Sequence, residues 1–219
     1  MIPTILPRIK ICCIASIQEA QLAIRCGASA IGLVSAMPSG PGVINESRIA
    51  EIAAKVPPGV ASFLLTSKID ASEIIAQQKR CGCNTLQLVD RLEIGSYRNL
   101  RIALPGIAIV QVIHVTGVES IEEALEVAPN VNAILLDSGN PNLAVKELGG
   151  TGRTHNWQIS RKICESVNVP VYLAGGLNPE NIAQALKEVQ PFGVDICSGV
   201  RTNGKLDEVK LARFCENIR

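Results

Sequence analysis

The sequence is poor in aromatic residues and has almost no excess of charge. Phe, Tyr and Trp make up 3% of the 219 residues, and 21 basic side chains stand against 20 acidic ones. Nucleic-acid binding needs a basic surface and usually aromatic side chains for stacking, so we expect no nucleic-acid partner. No apolar run approaches the roughly 18 residues of a membrane span, and residues 1–7 do not resemble a secretory signal. We therefore expect a cytoplasmic protein without a membrane partner.

Histidine is also scarce, and the cysteines are poorly spaced for binding a metal. Only His114 and His155 are present, and the eight cysteines include the adjacent pair Cys12 and Cys13. Zinc sites need regularly spaced ligands, and disulfide-rich secreted domains are short and dense in cysteine. We expect no metal site and no structural disulfide, with most cysteines serving as small buried apolar side chains.

Aliphatic residues are abundant instead, and they fall into short runs. The hydrophobic fraction is 47%. Strand-like runs occupy residues 10–14, 30–34, 60–65, 85–89, 107–115, 133–137, 169–174 and 193–197. Nearly every residue in these runs is apolar, which is typical of a parallel sheet covered on both faces.

Stretches with helical periodicity alternate with these runs and predict a (β/α)8 TIM barrel. They occupy residues 17–26, 46–55, 71–80, 93–103, 121–127, 157–166, 179–189 and 206–217. Eight units in 219 residues give about 27 residues each, which suits a compact barrel. A doubly wound sheet is the alternative, but the Gly-x-Gly-x-x-Gly turn after the first strand is absent. No linker divides the chain, so we expect one domain, residues 1–219.

Three loops after the last predicted strands are rich in glycine. The sequence is Gly-Gly-Thr-Gly at 149–152, Ala-Gly-Gly at 174–176 and Cys-Ser-Gly at 197–199. Glycine lets backbone N–H groups approach a phosphate, and the loops after strands seven and eight of a barrel commonly bind one. Tight turns would explain one such loop, but three neighbouring loops favour a phosphate site. Its predicted location is therefore the three loops at 149–152, 174–176 and 197–199.

Two residues at strand ends could perform acid–base chemistry. Asp137 ends a buried apolar run, where a carboxylate is unfavourable unless it is paired or used. Cys12 lies at the end of the first run, and Lys10 on the same face could lower its pKa and favour the thiolate. The alternatives are a loop-capping role for Asp137 and a packing role for Cys12.

Five motifs are spread in order over nearly the whole chain. They are Lys-Ile-Cys at 10–12, Leu-Leu-Asp at 135–137, Gly-Gly-Thr-Gly-Arg-Thr at 149–154, Leu-Ala-Gly-Gly-Leu-Asn-Pro-Glu-Asn at 173–181 and Asp-Ile-Cys-Ser-Gly-Val at 195–200. Together they resemble the phosphoribosylanthranilate isomerase family of tryptophan biosynthesis. The resemblance implies a (β/α)8 barrel that rearranges a phosphoribosyl aminoaldose to an aminoketose with no metal or organic cofactor. By motif, it implies that Cys12 is the general base and Asp137 the general acid. It also implies that the 5-phosphate is held by Gly150, Thr151, Gly152, Gly175, Gly176, Ser198 and Gly199.

The chain departs from the family pattern at several positions. Cys13 stands where the family has glycine, and Arg201 where it has an acidic residue. Residues 37–43 lack the arginine that contacts the anthranilate carboxylate in the family, and Gln87-Leu88-Val89 replaces Gln-Leu-His. Other polar residues near the predicted mouth are candidates for binding an anionic substrate. These candidates are Gln87, His114, Arg153 and Arg201, with a backbone-bonded His114 and a loop contact for Arg153 as alternatives.

Our first hypothesis is therefore an isomerase that acts on a small phosphorylated sugar, N-(5-phosphoribosyl)anthranilate. The alternatives are an isomerase or epimerase of another sugar phosphate and a non-catalytic paralogue that binds a phosphorylated metabolite. Having both Cys12 and Asp137 favours an enzyme, because a binding protein needs no acid–base pair. Some barrels form homodimers through aliphatic surfaces, and a homodimer is an alternative to a monomer for this chain.

Overall fold

Eight parallel strands close into a barrel in chain order. The computed structural model describes residues 6–139, 146 and 152–218. The strands are Arg8–Ile11 (β1), Ala30–Val34 (β2), Ala61–Thr66 (β3), Thr85–Leu88 (β4), Ala108–His114 (β5), Ala133–Asp137 (β6), Val171–Leu173 (β7) and Gly193–Ile196 (β8). A helix follows each strand, so the predicted (β/α)8 TIM barrel is confirmed.

The helices surround the barrel, and one short hairpin precedes the last of them. They are Ile17–Arg25 (α1), Glu46–Ala53 (α2), Ala71–Cys81 (α3), Tyr97–Ala103 (α4), Glu119–Val127 (α5), Trp157–Ser166 (α6), Ile182–Val189 (α7) and Glu208–Glu216 (α8). The hairpin strands are Arg201–Thr202 (β9) and Lys205–Leu206 (β10). Within the described part of the chain, no helix is both long and apolar enough to cross a bilayer.

Polar side chains determine where several helices begin. Asp70 accepts two backbone N–H groups at the start of α3, as its position before a helical run predicts. Helix α4 begins later than predicted because Ser96 accepts the N–H of Asn99. Helix α7 also begins later, at Ile182, because Asn178 accepts the N–H groups of the next two non-proline residues and forms a turn.

Alternation along the strands creates two layers of buried residues. Side chains that point outward, such as Ile11, Leu33 and Leu64, pack against the helices in a large aliphatic core. Side chains that point inward form a smaller apolar cluster inside the barrel. The buried polar side chains that line the mouth are Gln87, Asp137 and Asp195. The inner layer therefore contains the groups capable of chemistry.

Strands β1 and β8 meet where the barrel closes, and we call this contact the β1–β8 seam. Its register pairs Lys10 with Asp195 and Ile11 with Ile196. Just beyond the strands, a disulfide links Cys13 to Cys197, whose Cα atoms are 6.0 Å apart. The prediction of no structural disulfide is therefore wrong. These two cysteines are 184 residues apart in sequence, and only closure of the barrel brings them together.

Candidate active site

A cavity opens at the carboxyl-terminal end of the barrel strands. The space between its walls, open mouth included, is about 690 Å³. Seven of the predicted site residues line it: Cys12, Gln87, Asp137, Gly152, Gly175, Gly176 and Ser198. The structure thus brings the predicted acid, the predicted base and parts of the three glycine-rich loops together. No cluster of three metal-ligating side chains occurs among residues 6–139, 146 and 152–218.

Cys12 lies one residue beyond β1 and is 7% exposed. The glycine at position 32 provides space for it, since a Cβ there would lie 2.8 Å from Cys12 Sγ and 3.0 Å from Lys10 Nζ. Burial raises the pKa of the Cys12 thiol to about 11, although the Lys10 charge acts in the opposite direction. Lys10 thus acts in the expected direction, but the expectation of a pKa below the ordinary thiol value is corrected. Desolvation of the thiolate outweighs its attraction to the ammonium.

Lys10 forms a buried ion pair below Cys12. Its Nζ donates to Asp195 Oδ2 at 2.7 Å and lies 5.1 Å from the centroid of the Phe63 ring. Burial alone would lower the pKa of Lys10, but the facing carboxylate more than offsets this and the pKa is raised. Lys10 therefore stays charged inside the barrel. The other carboxylate oxygen, Asp195 Oδ1, is buried without a hydrogen-bond partner among the described residues, and Asp195 lines the cavity.

Asp137 ends β6 and is held by the chain that follows it. The N–H of Ser138 donates to Asp137 Oδ1 at 2.7 Å. Burial raises the pKa of Asp137, while that N–H and the neighbouring His114 act against the shift and Asp195 adds to it. A carboxyl group that keeps its proton above the ordinary range is suited to donate that proton to a bound substrate.

The glycine-rich loops require glycine for steric reasons. Gly175 has φ +81°, and a Cβ on it would lie 2.9 Å from the Ser138 side chain. Gly176 has φ +62°, and its Cβ would lie 2.5 Å from the carbonyl carbon of Arg153. These loops turn tightly, and their backbones line the cavity directly. A Cβ on Gly199 would collide with the carbonyl of Leu177, but Gly199 is not among the lining residues. Gly150 and Thr151 lie outside the described residues.

The other four predicted substrate contacts have different environments. Gln87 lines the cavity, and its Oε1 is buried without a partner among the described residues. His114 Nε2 lies 3.0 Å from the Val89 carbonyl oxygen. This is the backbone contact that the sequence predicted as the alternative to a substrate contact. Arg153 is exposed. Arg201 is bound by protein groups behind the cavity, and none of these last three residues is in its lining.

Two polar residues at the β1–β8 seam were not singled out from the sequence. Asp195 points inward because it is in register with Lys10 on β1. Glu19, in the first turn of α1, binds Arg201. Alternation along the last strand was the available signal for Asp195, since an acidic residue inside an apolar run needs a partner. The sequence carries no comparable signal for Glu19.

The family model described as N-(5'-phosphoribosyl)anthranilate (PRA) isomerase matches residues 9–217. The chain belongs to this family. Among curated PRA isomerases, isomerase 2 of Methanosarcina mazei is 38% identical over 214 residues, which cover 97% of this chain and 94% of the relative. The PRA isomerase of Methanocella arvoryzae is 32% identical and covers 97% of this chain and 98% of its own.

Solved PRA isomerase structures share the fold over nearly the full length. The enzyme from Thermotoga maritima superposes with a TM-score of 0.81 at 28% identity and covers 97% of this chain and 98% of its own. A PRA isomerase in complex with reduced 1-(o-carboxyphenylamino)-1-deoxyribulose 5-phosphate has a TM-score of 0.78 at 26% identity, with the same coverage. The predicted family, fold and enzyme class, an aldose–ketose isomerase of tryptophan biosynthesis, are confirmed.

Proposed function

We propose that residues 1–219 act as one catalytic domain that isomerises N-(5'-phosphoribosyl)anthranilate by an Amadori rearrangement. The product is 1-(2-carboxyphenylamino)-1-deoxyribulose 5-phosphate. The observation that carries the assignment of roles is that Cys12 and Asp137 line one cavity together with the glycine-rich loops. A related isomerase has been solved in complex with a reduced form of this product, which supports the same substrate here.

Asp137 acts first, as the general acid. It protonates the ribose ring oxygen, the ring opens, and the nitrogen lone pair forms a Schiff base with C1. The raised pKa of Asp137 keeps its proton available for this step. The Ser138 N–H then stabilises the carboxylate that remains, because it already donates to Asp137 Oδ1.

Cys12 acts second, as the general base. Its thiolate removes the proton from C2, which gives an enolamine that tautomerises to the ketone. With a pKa of about 11, Cys12 is almost entirely in its thiol form at pH 7 before substrate binds. Lys10 increases the thiolate fraction, because its fully buried ammonium attracts the thiolate.

The backbone of the three glycine-rich loops binds the 5-phosphate. Gly152, Gly175, Gly176 and Ser198 support this role by lining the cavity, and the proposal includes Gly150, Thr151 and Gly199. N–H groups from such loops bind phosphate without a cationic side chain. Gln87 contacts the rest of the substrate through its Oε1, which has no hydrogen-bond partner in the described part of the chain. Direct contacts from His114, Arg153 and Arg201 stay predictions.

We also infer a cytoplasmic enzyme and a homodimer. The supporting observation for the homodimer is that the related isomerase of Thermotoga maritima is described as dimeric. Cytoplasmic location follows from the biosynthetic role of the family. Analytical ultracentrifugation of the purified protein would distinguish a dimer from a monomer.

The decisive experiment follows the fluorescence of freshly prepared N-(5'-phosphoribosyl)anthranilate, which decreases on turnover. Cys12→Ala and Asp137→Asn should each lower kcat about 10³-fold or more, because each removes one proton-transfer group. Binding of the reduced product analogue should remain, since the phosphate loops are intact. Cys26→Ala is the matched control, because Cys26 is a free thiol outside the cavity lining and its loss should leave turnover unchanged. Near-native turnover by both cavity variants would contradict the proposed roles.

A further inference from the structure

Arg201, on β9, lies directly behind the turn that carries Cys12. Its side chain is only 7% exposed. Nη2 donates to the carbonyl oxygens of Cys12 at 3.1 Å and of Cys13 at 2.6 Å. One side-chain nitrogen thus binds two successive carbonyl groups, and the first of them belongs to the proposed general base.

The turn that Arg201 binds has an unfavourable backbone conformation. Cys13 has φ +62°, in the left-handed region that favours glycine. A non-glycine residue keeps such a conformation only when its surroundings hold it there. The hydrogen bond from Arg201 to the Cys13 carbonyl is one such contact, and the disulfide to Cys197 is another.

Glu19 fixes Arg201 from the other side. Glu19 Oε1 lies 3.0 Å from Arg201 Nη1, and its carboxylate also accepts the N–H groups of Ala15 and Leu206. Although burial acts to raise the pKa of Glu19, these N–H groups and Arg201 lower it, so the carboxylate is ionised. The pair therefore connects the turn after β1, the start of α1 and the β9–β10 hairpin.

We propose that Arg201 is a positioning residue, which acts through the carbonyl groups of Cys12 and Cys13 to hold Cys12 Sγ at the substrate. The inference rests on the proposed function, because it assigns Arg201 to the base of that reaction. If the turn relaxed towards an ordinary φ, both carbonyl groups would rotate and the adjacent sulfur would move. A displacement of about 1 Å at a reacting group can lower a rate about 100-fold.

A set of variants at residues 13 and 201 isolates this role. All assays use protein that has been reduced and then freed of reductant under anaerobic conditions, so that the Cys13–Cys197 disulfide does not contribute. Cys13→Ser and Cys13→Gly both remove that thiol, but only Cys13→Gly removes the Cβ that disfavours a positive φ. Arg201→Met is then introduced into the parent and into each of these two backgrounds, and thermal denaturation checks that every protein folds.

Arg201→Met should lower kcat about tenfold or more in the parent and in Cys13→Ser, with less than a threefold change in KM. In Cys13→Gly the same substitution should lower kcat less than threefold, because glycine adopts the turn without help. Arg201→Lys restores a positive charge beside Glu19 but not the planar arrangement of donors. It should therefore restore the melting temperature more fully than kcat.

A second readout does not need turnover. Iodoacetamide modification of Cys12, followed by peptide mass spectrometry, should be several-fold slower in Arg201→Met than in the parent at pH 9. The free Cys164, outside the cavity lining, serves as the internal reference. Because the Arg201 charge itself acts to lower the Cys12 pKa, Arg201→Lys is labelled as well. If the parent does not isomerise the substrate but Cys12 modification is slowed in Arg201→Lys as well as in Arg201→Met, the proposed function fails and the positioning role stands.

Three results would overturn the inference. One is an equal loss of kcat from Arg201→Met in the Cys13→Gly and Cys13→Ser backgrounds. Another is full recovery of kcat in Arg201→Lys, which would leave only a charge effect. The third is a modification rate of Cys12 that does not depend on Arg201.

Discussion

The two buried layers of the barrel differ in what they require of their residues. The outer layer, between the strands and the helices, is aliphatic, and many combinations of similar volume would fill it. The inner layer holds Lys10, Gln87, Asp137 and Asp195, and two of these keep a buried oxygen that has no hydrogen-bond partner among the described residues. Such groups lower stability, because a buried polar atom loses its hydrogen bonds to water. The outer layer stabilises the fold, and the inner layer carries the chemistry at some loss of stability.

Breaking the inner ion pair should have the largest effect. Lys10→Met leaves the Asp195 carboxylate buried without its cation, which should lower the free energy of unfolding by about 3–5 kcal/mol. It should also abolish most turnover, because the thiolate of Cys12 loses the neighbouring positive charge. Urea denaturation and steady-state kinetics measure the two effects. The double variant Lys10→Met, Asp195→Leu should recover stability without recovering turnover, and recovery of both would contradict this division between the layers.

Truncation of a side chain in the outer layer should lower stability but leave turnover nearly unchanged. Leu64 on β3 is fully buried among aliphatic residues, so Leu64→Ala should lower the free energy of unfolding by about 3 kcal/mol. Its kcat should stay within twofold of the parent, because Leu64 points away from the cavity. The matched control is Leu125→Ala on α5, where the side chain is 48% exposed and the expected change is about 0.5 kcal/mol or less. A large fall in kcat for Leu64→Ala would show that the layers are not independent.

The thiols of the two layers should also react differently with an alkylating reagent. Burial raises the pKa of Cys12 to about 11 and that of Cys83, in the outer layer, to about 12. Of these two thiols, Cys12 borders the cavity and Cys83 does not, so in the native protein Cys12 should be modified while Cys83 is not. Because thiolate increases as pH rises towards the pKa, the rate for Cys12 should increase about tenfold per unit from pH 7 to 10.

Iodoacetamide labelling followed by mass spectrometry measures these rates, and glutathione is the solvent-exposed reference thiol. Its rate should level off near pH 9. A plateau for Cys12 at that same pH would mean that burial does not control its ionisation.

Local patterns predicted the barrel and much of the candidate site. Strand alternation and the positions of strand ends pointed to Cys12 and Asp137, because each of these two signals is contained in a few neighbouring residues. The contacts at the β1–β8 seam were not predictable in this way. The Lys10–Asp195, Glu19–Arg201 and Cys13–Cys197 partners are 185, 182 and 184 residues apart, respectively. Their proximity depends on closure of the whole ring, which no local window of sequence contains.

The two departures from the family pattern at Cys13 and Arg201 are an example of residues whose contact only the closed barrel reveals. In the sequence they are unrelated substitutions, and Arg201 was interpreted as a substrate contact because its partners were unknown. In the structure its guanidinium binds the carbonyl of Cys13.

The start of α7 differed from the prediction for a local reason. The side-chain oxygen of Asn178 can either cap a helix or close a turn, and here it closes a turn.

The β1–β8 seam also determines when this enzyme becomes active during its synthesis. The ribosome makes Cys12 and Lys10 long before it makes Asp195, and Arg201 follows later still. Until those residues leave the exit tunnel, the Lys10 ammonium has no carboxylate and the turn at Cys13 has no guanidinium. A nascent chain that stops before β8 therefore lacks both contacts that support the proposed base, and we expect turnover only after the last barrel strand has been released.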